Sequence, residues 1–222
     1  LLDQLKLMAA KNYLDPRYKV LTNILKISLT ISFFILAITK SYAVEDQNKI
    51  AVLVNDNVIT NYDIEQRIKI FAILNRTQIT IDNRTIITTK IVDELIDGML
   101  KSEKIKEYNI NVDSNDLNDY ENHYFKARGL NKDELFEIMQ INNINTDQFY
   151  TMLYNEIAWQ ILINRLYYRI TSVSNEEVEE LMNKESQITR ELAKKIIMDK
   201  QLALKSSKML RDLKSEATIE YK

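Results

Sequence analysis

The stretch Ile50-Ala-Val-Leu-Val-Asn-Asp-Asn-Val-Ile-Thr-Asn-Tyr-Asp63 decides how the chain is read. Ile50–Val54 is a short β-prone run, Asn55-Asp56-Asn57 is a turn, and Val58-Ile59 returns briefly as a second strand. Thr60 then stands between two apolar residues five apart, Ile59 and Ile64. That spacing is a hydrophobic staple around a helix N-cap: the threonine oxygen accepts from orphan backbone N–H groups, and the flanking apolar pair fixes the angle of entry. Strand, turn and strand therefore pass directly into a helix.

The same format recurs along the chain. It is found at Val112/Asp113/Leu117, Leu130/Asn131/Leu135, Ile144/Asn145/Phe149 and Val173/Ser174/Val178. Glu134, Gln148 and Glu177 occupy N3, from which they can reach back to complete capping boxes; Asp63 and Asp116 are shorter versions. Periodicity agrees. Ile64, Ile68 and Phe71 share a helical face, as do Ile87, Ile91, Leu95 and Met99 in a second helix that lacks an equally clear cap. Leu117, Tyr120 and Tyr124 mark a third, closed by Gly129 at a left-handed position. Leu135, Ile138 and Met139 mark a short fourth, and Phe149 to Tyr168 a long fifth. Glu176–Lys184 is a short charged sixth. Ile188, Leu192, Ile196, Leu202, Met209 and Leu213 mark the last. The closing Ala217-Thr-Ile-Glu-Tyr-Lys222 alternates like a strand. A lone strand leaves backbone groups unpaired, so it is expected to pair with Ile50–Val54. The fold class predicted is mainly α, a multi-helix domain with one small β pairing.

Composition narrows the chemistry. The 222 residues include two Gly, one Pro, one His and no Cys, where average usage gives roughly fifteen Gly and eleven Pro. No disulfide framework, thiolate metal site or cysteine nucleophile can be built. A lone His cannot make a His cluster, and two Gly placed 31 residues apart, Gly98 and Gly129, cannot form a phosphate loop. An ordinary all-β fold is excluded by the same shortage. Residues 1–43 hold six of the 30 Lys/Arg and two of the 32 Asp/Glu, which leaves 24 basic and 30 acidic residues, a net charge near −6, in the rest. That acidic body argues against nucleic acid as partner.

The first 43 residues read differently. Basic residues precede an uncharged run, Ile27–Thr39, centred on Phe33-Phe-Ile-Leu-Ala-Ile38, and Ser41-Tyr42-Ala43 follows with small residues where cleavage before Val44 needs them. The run is short of the roughly 20 residues of a transmembrane helix. Residues 1–43 are thus expected to be an export signal cut after Ala43, with an uncleaved anchor as the alternative. The chain would then enter an exported compartment, touching membrane only through that segment.

No constellation in the remainder makes an enzyme site. His123 stands alone on a polar-aromatic segment, and Asp113–Asn118 fails as a calcium loop because Leu117 takes a ligand position and position six holds no Gly. Asp93, Glu94 and Asp97 read as the solvated side of the Ile91/Leu95 face. The basic stretch from Lys194 to Lys214 reads likewise. Aromatic and Met residues are the exception: Tyr120, Tyr124, Phe125, Phe136, Met139, Phe149, Tyr150, Met152 and Tyr154 crowd into 35 positions. One helix face cannot bury them all. Tyr120, Tyr124, Met139, Tyr150 and Tyr154 are the candidates to line a groove for extended or unfolded peptide, where aromatic and Met side chains give adaptable apolar contact. No cofactor or metal is called for.

The opening Ile50–Asp63, the segment Ile91-Val-Asp-Glu-Leu-Ile-Asp97 and the tail Lys205–Lys222 resemble the SurA family, periplasmic chaperones of outer-membrane proteins. The order of short, short and long helices between Val112 and Ile170 is similar as well. The resemblance covers most of residues 48–222. It implies a helical chaperone domain over 44–184, a returning helix and strand over 185–222, a periplasmic location and unfolded outer-membrane proteins as clients. One departure is informative. The family carries parvulin prolyl isomerase domains between its N-terminal helices and its C-terminal helix, whereas here only Glu185-Ser-Gln187 separates the last two helical segments. The resemblance therefore implies a chaperone core without isomerase activity. The alternatives are an exported protein with one specific partner, a homodimer through the same helices included, or a reduced prolyl isomerase.

Overall fold

Two strands open the described part of the protein, β1 (Ile50–Val54) and β2 (Asn57–Thr60). The structure is a computed structural model; it describes residue 3 and residues 48–222 apart from 186. The expected export signal and its cut after Ala43 lie outside the described residues. Helices follow as α1 (Asn61–Leu74), α2 (Ile81–Glu107), α3 (Ser114–Arg128), α4 (Lys132–Ile141), α5 (Thr146–Tyr167), α6 (Asn175–Lys184) and α7 (Arg190–Glu216), with a 3-10 turn at Tyr168–Ile170 and a last strand, β3 (Ile219–Tyr221). The protein is mainly α, and the three strands among the described residues form an antiparallel sheet in the order β2-β1-β3. Among the described residues no helix is long and apolar enough to cross a membrane.

All five stapled start signals are helix N-caps: Thr60, Asp113, Asn131, Asn145 and Ser174 each accept a backbone N–H from the first turn. Full capping boxes form at Thr60/Asp63 and Ser174/Glu177. Three expected boxes do not close. At Asp113 the cap side chain bonds the N–H of Asn115 without a reply from Asp116. At Asn131 only the cap side chain bonds, to the N–H groups of Asp133 and Glu134. Gln148 instead donates to Asp63 Oδ1 across 3.0 Å, and the backbone N–H of Asn145 goes to Gln66. The second helix, for which no clear cap was expected, starts at a Thr80/Asn83 box. Arg84 stands where the staple's second apolar residue would be, so the staple pattern passes over it.

The ends of the body meet. Val52 faces Tyr221 and Val54 faces Ile219 in the β1–β3 ladder, as the terminal alternation predicts. Asn55 is the junction. Its backbone is left-handed (φ 52°), a conformation Asn tolerates. Its N–H donates to Thr218 O at 2.9 Å, its Oδ1 accepts from Thr218 N–H at 3.0 Å, and its Nδ2 donates to Glu103 on α2 at 2.9 Å. Asn57 bonds the other oxygen of the same carboxylate. One glutamate thereby clamps both ends of the β1–β2 turn.

Among the described residues, four apolar clusters make up the interior. The first joins the sheet (Val52, Val54, Ile59) to α1 and α2 through Ile64, Ile68, Ile91, Ile96 and Leu100. A second, aromatic cluster lies between α1, α3, α4 and α5. The third joins α2, α5 and α7 around Trp159, Leu162 and Leu202. The fourth holds α6 on the start of α7 through Val178, Ala193 and Ile197. Here α7 corrects part of the sequence pattern: Leu192 and Ile196 are exposed and the buried face at that end runs one residue later through Ala193 and Ile197, while Leu202 is buried as the pattern has it. Periodicity locates such a helix but cannot choose between adjacent faces when both are apolar. Ile138 on α4 is likewise exposed. The α2 carboxylates are not simply solvated: Asp97 pairs with Lys214 of α7 at 2.8 Å and Glu94 with Arg67 of α1 at 3.7 Å.

Replacing Asn55 by Ala removes the side-chain bonds to Thr218 and Glu103 and strains a left-handed position, and is expected to destabilise the protein by about 2–3 kcal/mol. Asn55→Gly loses the same side-chain bonds without the strain, so it should cost about 1 kcal/mol less. Equilibrium urea unfolding of the two variants measures both; equal stability of wild type and Asn55→Ala would remove Asn55 as the junction.

Candidate aromatic peptide-binding surface

Phe149, on the first turn of α5, is the centre of the aromatic cluster and is fully buried. Its ring meets Tyr124 edge-on at 6.0 Å, Phe125 at 6.1 Å and Phe136 edge-on at 6.0 Å. Phe136 stacks in turn on Tyr150, with centroids 5.4 Å apart and planes 17° from parallel. Edge-to-face and offset pairs of this kind add about 0.5–1.5 kcal/mol each beyond their burial. The local sequence explains the arrangement. Asn131 and Asn145 start α4 and α5, and the staples Leu130/Leu135 and Ile144/Phe149 turn one side of each helix inward.

A buried amide sets the spacing of these helices. Gln66 of α1 donates to Asn143 O at 3.3 Å and accepts from Asn145 N–H at 2.8 Å, so it bridges the loop between α4 and α5. Lys69 reaches Asn142 O, beside it, at 3.3 Å. Gln66 reads from sequence as one more polar residue of an amphipathic helix, because its partners lie 77 and 79 positions away.

The rim is cationic as well as aromatic. Lys132 pairs with the buried Glu121 at 2.9 Å, and its ammonium lies 5.9 Å from the Phe136 ring centre and 6.0 Å from that of Tyr150. The bond to Glu121 raises the Lys132 pKa, and burial opposes the rise without cancelling it. The Arg128 guanidinium sits 3.8 Å from the centre of the Tyr124 ring, a cation–π contact.

The five groove candidates separate into different environments. Met139 (0% exposed) and Tyr124 (8% exposed) are part of the packed cluster and present no open surface. Tyr120 is half-buried beside them, its ring 6.5 Å from that of Tyr124. Tyr150, 37% exposed, stands at the rim. Tyr154, one turn along α5 from Tyr150, packs instead with the Trp159/Leu162 cluster. Tyr120, Tyr124, Met139 and Tyr150 are thus brought together and Tyr154 is not. Ile138 and Ile141, one turn apart on the outer side of α4, are exposed apolar residues that were not among the groove candidates.

Burial marks the ionisable groups here. It lowers the pKa of Arg67, which Glu94 and the neighbouring Tyr124 and Glu156 oppose. Tyr124 is raised by burial against the pull of Arg128 and Arg67. Tyr120 is pushed up to about 12, first by burial and then by the charge of Glu156. Both phenols stay neutral at physiological pH, which suits apolar contact. Among the described residues no group of three or more His, Cys, Asp or Glu is placed to hold a metal. His123 is exposed on α3.

With this geometry in hand, known proteins supply a comparison. No protein-family model matches the chain. It is 25% identical over 219 residues to Chaperone SurA of Buchnera aphidicola subsp. Schizaphis graminum, a match covering 86% of this chain and 48% of that protein. The chain therefore spans about half the length of this curated relative. A solved structure from work on the virulence factor PEB4 and the periplasmic protein Cj1289, two SurA-like chaperones of Campylobacter jejuni, is also similar. It is 19% identical, with a TM-score of 0.36, over 63% of this chain and 50% of that one. The chain is thus similar in sequence to a SurA protein over most of its length, in agreement with the resemblance carried by residues 50–63, 91–97 and 205–222.

Two measurements follow from the cluster. Phe149→Ala empties its centre and should cost about 3–5 kcal/mol, whereas Tyr150→Ala at the rim should cost about 1 kcal/mol or less; thermal or urea unfolding compares them. An ultraviolet titration should show one tyrosinate forming only near pH 12, absent in Tyr120→Phe. Because the folded pKa lies above the unfolded value of about 10, the stability this phenol contributes is complete below about pH 10. It is lost as pH rises to about 12.

Proposed function

We propose that the protein is an ATP-independent chaperone that binds unfolded polypeptides, outer-membrane proteins in particular, in the periplasm. The observation that carries this reading is the match to Chaperone SurA across most of the chain. The aromatic, cationic rim formed by Tyr150, Phe136 and Lys132 is physically consistent with it. Extended clients rich in aromatic strand segments would exchange water-exposed apolar area for contact with such a surface. Weak contacts at several points permit release without nucleotide. Residues 44–184 form the chaperone domain in this reading, and 185–222 the helix and strand that pack back on it. Residues 1–43 direct export and are cut after Ala43.

Prolyl isomerase activity is not part of the proposal. The link from α6 to α7 is residues 185–189, too short to hold a folded catalytic domain between them. A protein with one specific partner, or a homodimer through the same helices, is the other reading; tight saturable binding to a single folded protein, with no affinity for unfolded chains, would favour it.

The test is suppression of light scattering from a denatured outer-membrane protein diluted out of urea. Residues 44–222 at a few-fold molar excess should suppress it without ATP, and Tyr150→Ala should weaken the effect several-fold. No suppression at any excess overturns the chaperone reading. A protease-coupled assay on a proline peptide should stay at the uncatalysed rate; clear acceleration would overturn the exclusion of isomerase activity.

A further inference from the structure

Two groove candidates are shut inside the protein, and the way they are shut is unlike the rest of the fold. Met139 and Tyr124 lie on α4 and α3, on the faces turned towards Phe149, Leu153 and Ile70. Elsewhere, neighbouring helices are tied by polar bonds as well as packing. Arg67–Glu94 and Arg84–Glu65 join α1 to α2, and Lys101–Glu156 joins α2 to α5. Asp97–Lys214 joins α2 to α7, and Trp159 Nε1 donates to Ser206 Oγ at 2.8 Å between α5 and α7. The α3–α4 pair differs. Among the described residues its hydrogen bonds to the body fall at two places, beside the charge interactions of Tyr124 with Arg67 and of Tyr120 with Glu156. One is the α4–α5 loop, held by Gln66 and Lys69. The other is Lys132, beside Tyr150. Between them, the interface with α5 is aromatic and aliphatic.

The two helices are tied to each other. Glu121 of α3 and Lys132 of α4 bind each other at 2.9 Å. Gly129, left-handed at φ 59°, turns one helix sharply into the other. Both connections to the body are short loops: Ile110 and Val112 seat the first in the Trp159 cluster, which leaves its free end at Asp113, and the second leaves α4 through the left-handed Asn143 (φ 51°). The Gln66 and Lys69 bonds fall at the second of these, so they hold a pivot; the far end, at Gly129–Lys132, is held by Leu130 packing into the aromatic cluster and by Lys132 beside Tyr150. Such loops absorb backbone rotation while the helices stay rigid.

We propose that α3–α4 is a hinged cover whose opening exposes an aromatic cleft for client segments, with Phe149 and Leu153 on the body and Phe125, Phe136 and Met139 on the cover. The proposal rests on the chaperone reading above and says where the client goes. The ligand is an extended chain segment carrying aromatic or large aliphatic side chains. Its rings would take the edge-to-face places that Tyr124, Phe125 and Phe136 occupy around Phe149 in the closed form. Opening has a cost in exposed apolar surface, and a client that refills the cleft offsets it, so occupancy and opening are coupled. Lys132 is the latch: it leaves Tyr150 when the cover lifts and keeps Glu121.

Native-state hydrogen exchange on the whole body is the first test. Amides of α3 and α4 should exchange together, about tenfold or more faster than those of α2 and α5, through partial opening. Exchange at one common rate across all four helices overturns the cover. The second test uses the absence of Cys. Lys132→Cys/Tyr150→Cys is either bridged by a short bismaleimide or capped at both thiols with N-ethylmaleimide, so that each arm has the same substitutions. Bridging should abolish most of the anilinonaphthalene sulfonate fluorescence of the capped form and reduce suppression of client aggregation at least about threefold. Equal dye binding and equal suppression by the two forms overturn the cover and leave the chaperone reading standing. Separated exchange and dye signals, with no suppression by either form or by the wild type, support the cover and overturn the chaperone reading.

Discussion

The β1–β3 ladder, pinned by Asn55 to Thr218, is the constraint from which the rest of the fold hangs. A two-stranded hairpin is marginal in water; β3 makes it a sheet, and β3 reaches its place only on the end of α7. Leu210 and Leu213 of that helix pack against both the sheet cluster and the Trp159 cluster. One strand pairing therefore fixes the position of a 27-residue helix, and that helix joins two interiors that share few other residues. The clamp by Glu103 adds α2 to the same junction. Each of these bonds is modest in isolation, about 1 kcal/mol; their effect comes from converging on one turn.

Much of this was legible in the sequence, and the reason is local. Hydrophobic staples around Thr60, Asp113, Asn131, Asn145 and Ser174 are nearest-neighbour signals that do not depend on tertiary partners. The terminal pairing could be argued because a lone strand at each end leaves backbone groups that need each other. What could not be read was long-range and polar. Nothing near Gln66 or Glu103 indicates that one will bridge Asn143 and Asn145 or that the other will grip Asn55 and Asn57. The aromatic candidates could be found as a group, but not the separate environments of its members. Whether Met139 or Ile138, neighbours on a short helix, faces inward is decided by where α5 lies, and composition holds no record of that.

The shortage of glycine has a structural counterpart. Helices commonly end on a left-handed residue, usually Gly. Here α3 ends that way at Gly129, whereas α1, α2 and α4 use Arg76, Asn109 and Asn143 one residue past the cap. The bonds that close these ends are the ones glycine would give: Thr77 N–H to Ala72 O, Ile110 N–H to Ile105 O and Ile144 N–H to Met139 O. Asn fills the position at some backbone cost, and in return it loses less freedom than Gly on folding. An Asn-rich, Gly-poor chain can thus end its helices sharply. The residues that follow, Ile110 and Ile144, are buried, so each stop also anchors the next loop.

The sheet also imposes an order in time. Asn55 and Thr218 are 163 positions apart, which at usual rates of synthesis is on the order of ten seconds of elongation. For that interval β1 and β2 exist without their third strand, and the edge that β3 will cover stays open. Contacts of such separation are slow to close, because the intervening chain must be ordered first. The body therefore cannot complete its first interior segment by segment. It must wait for α7, and until then the nascent chain is itself an unfolded polypeptide with an exposed strand edge.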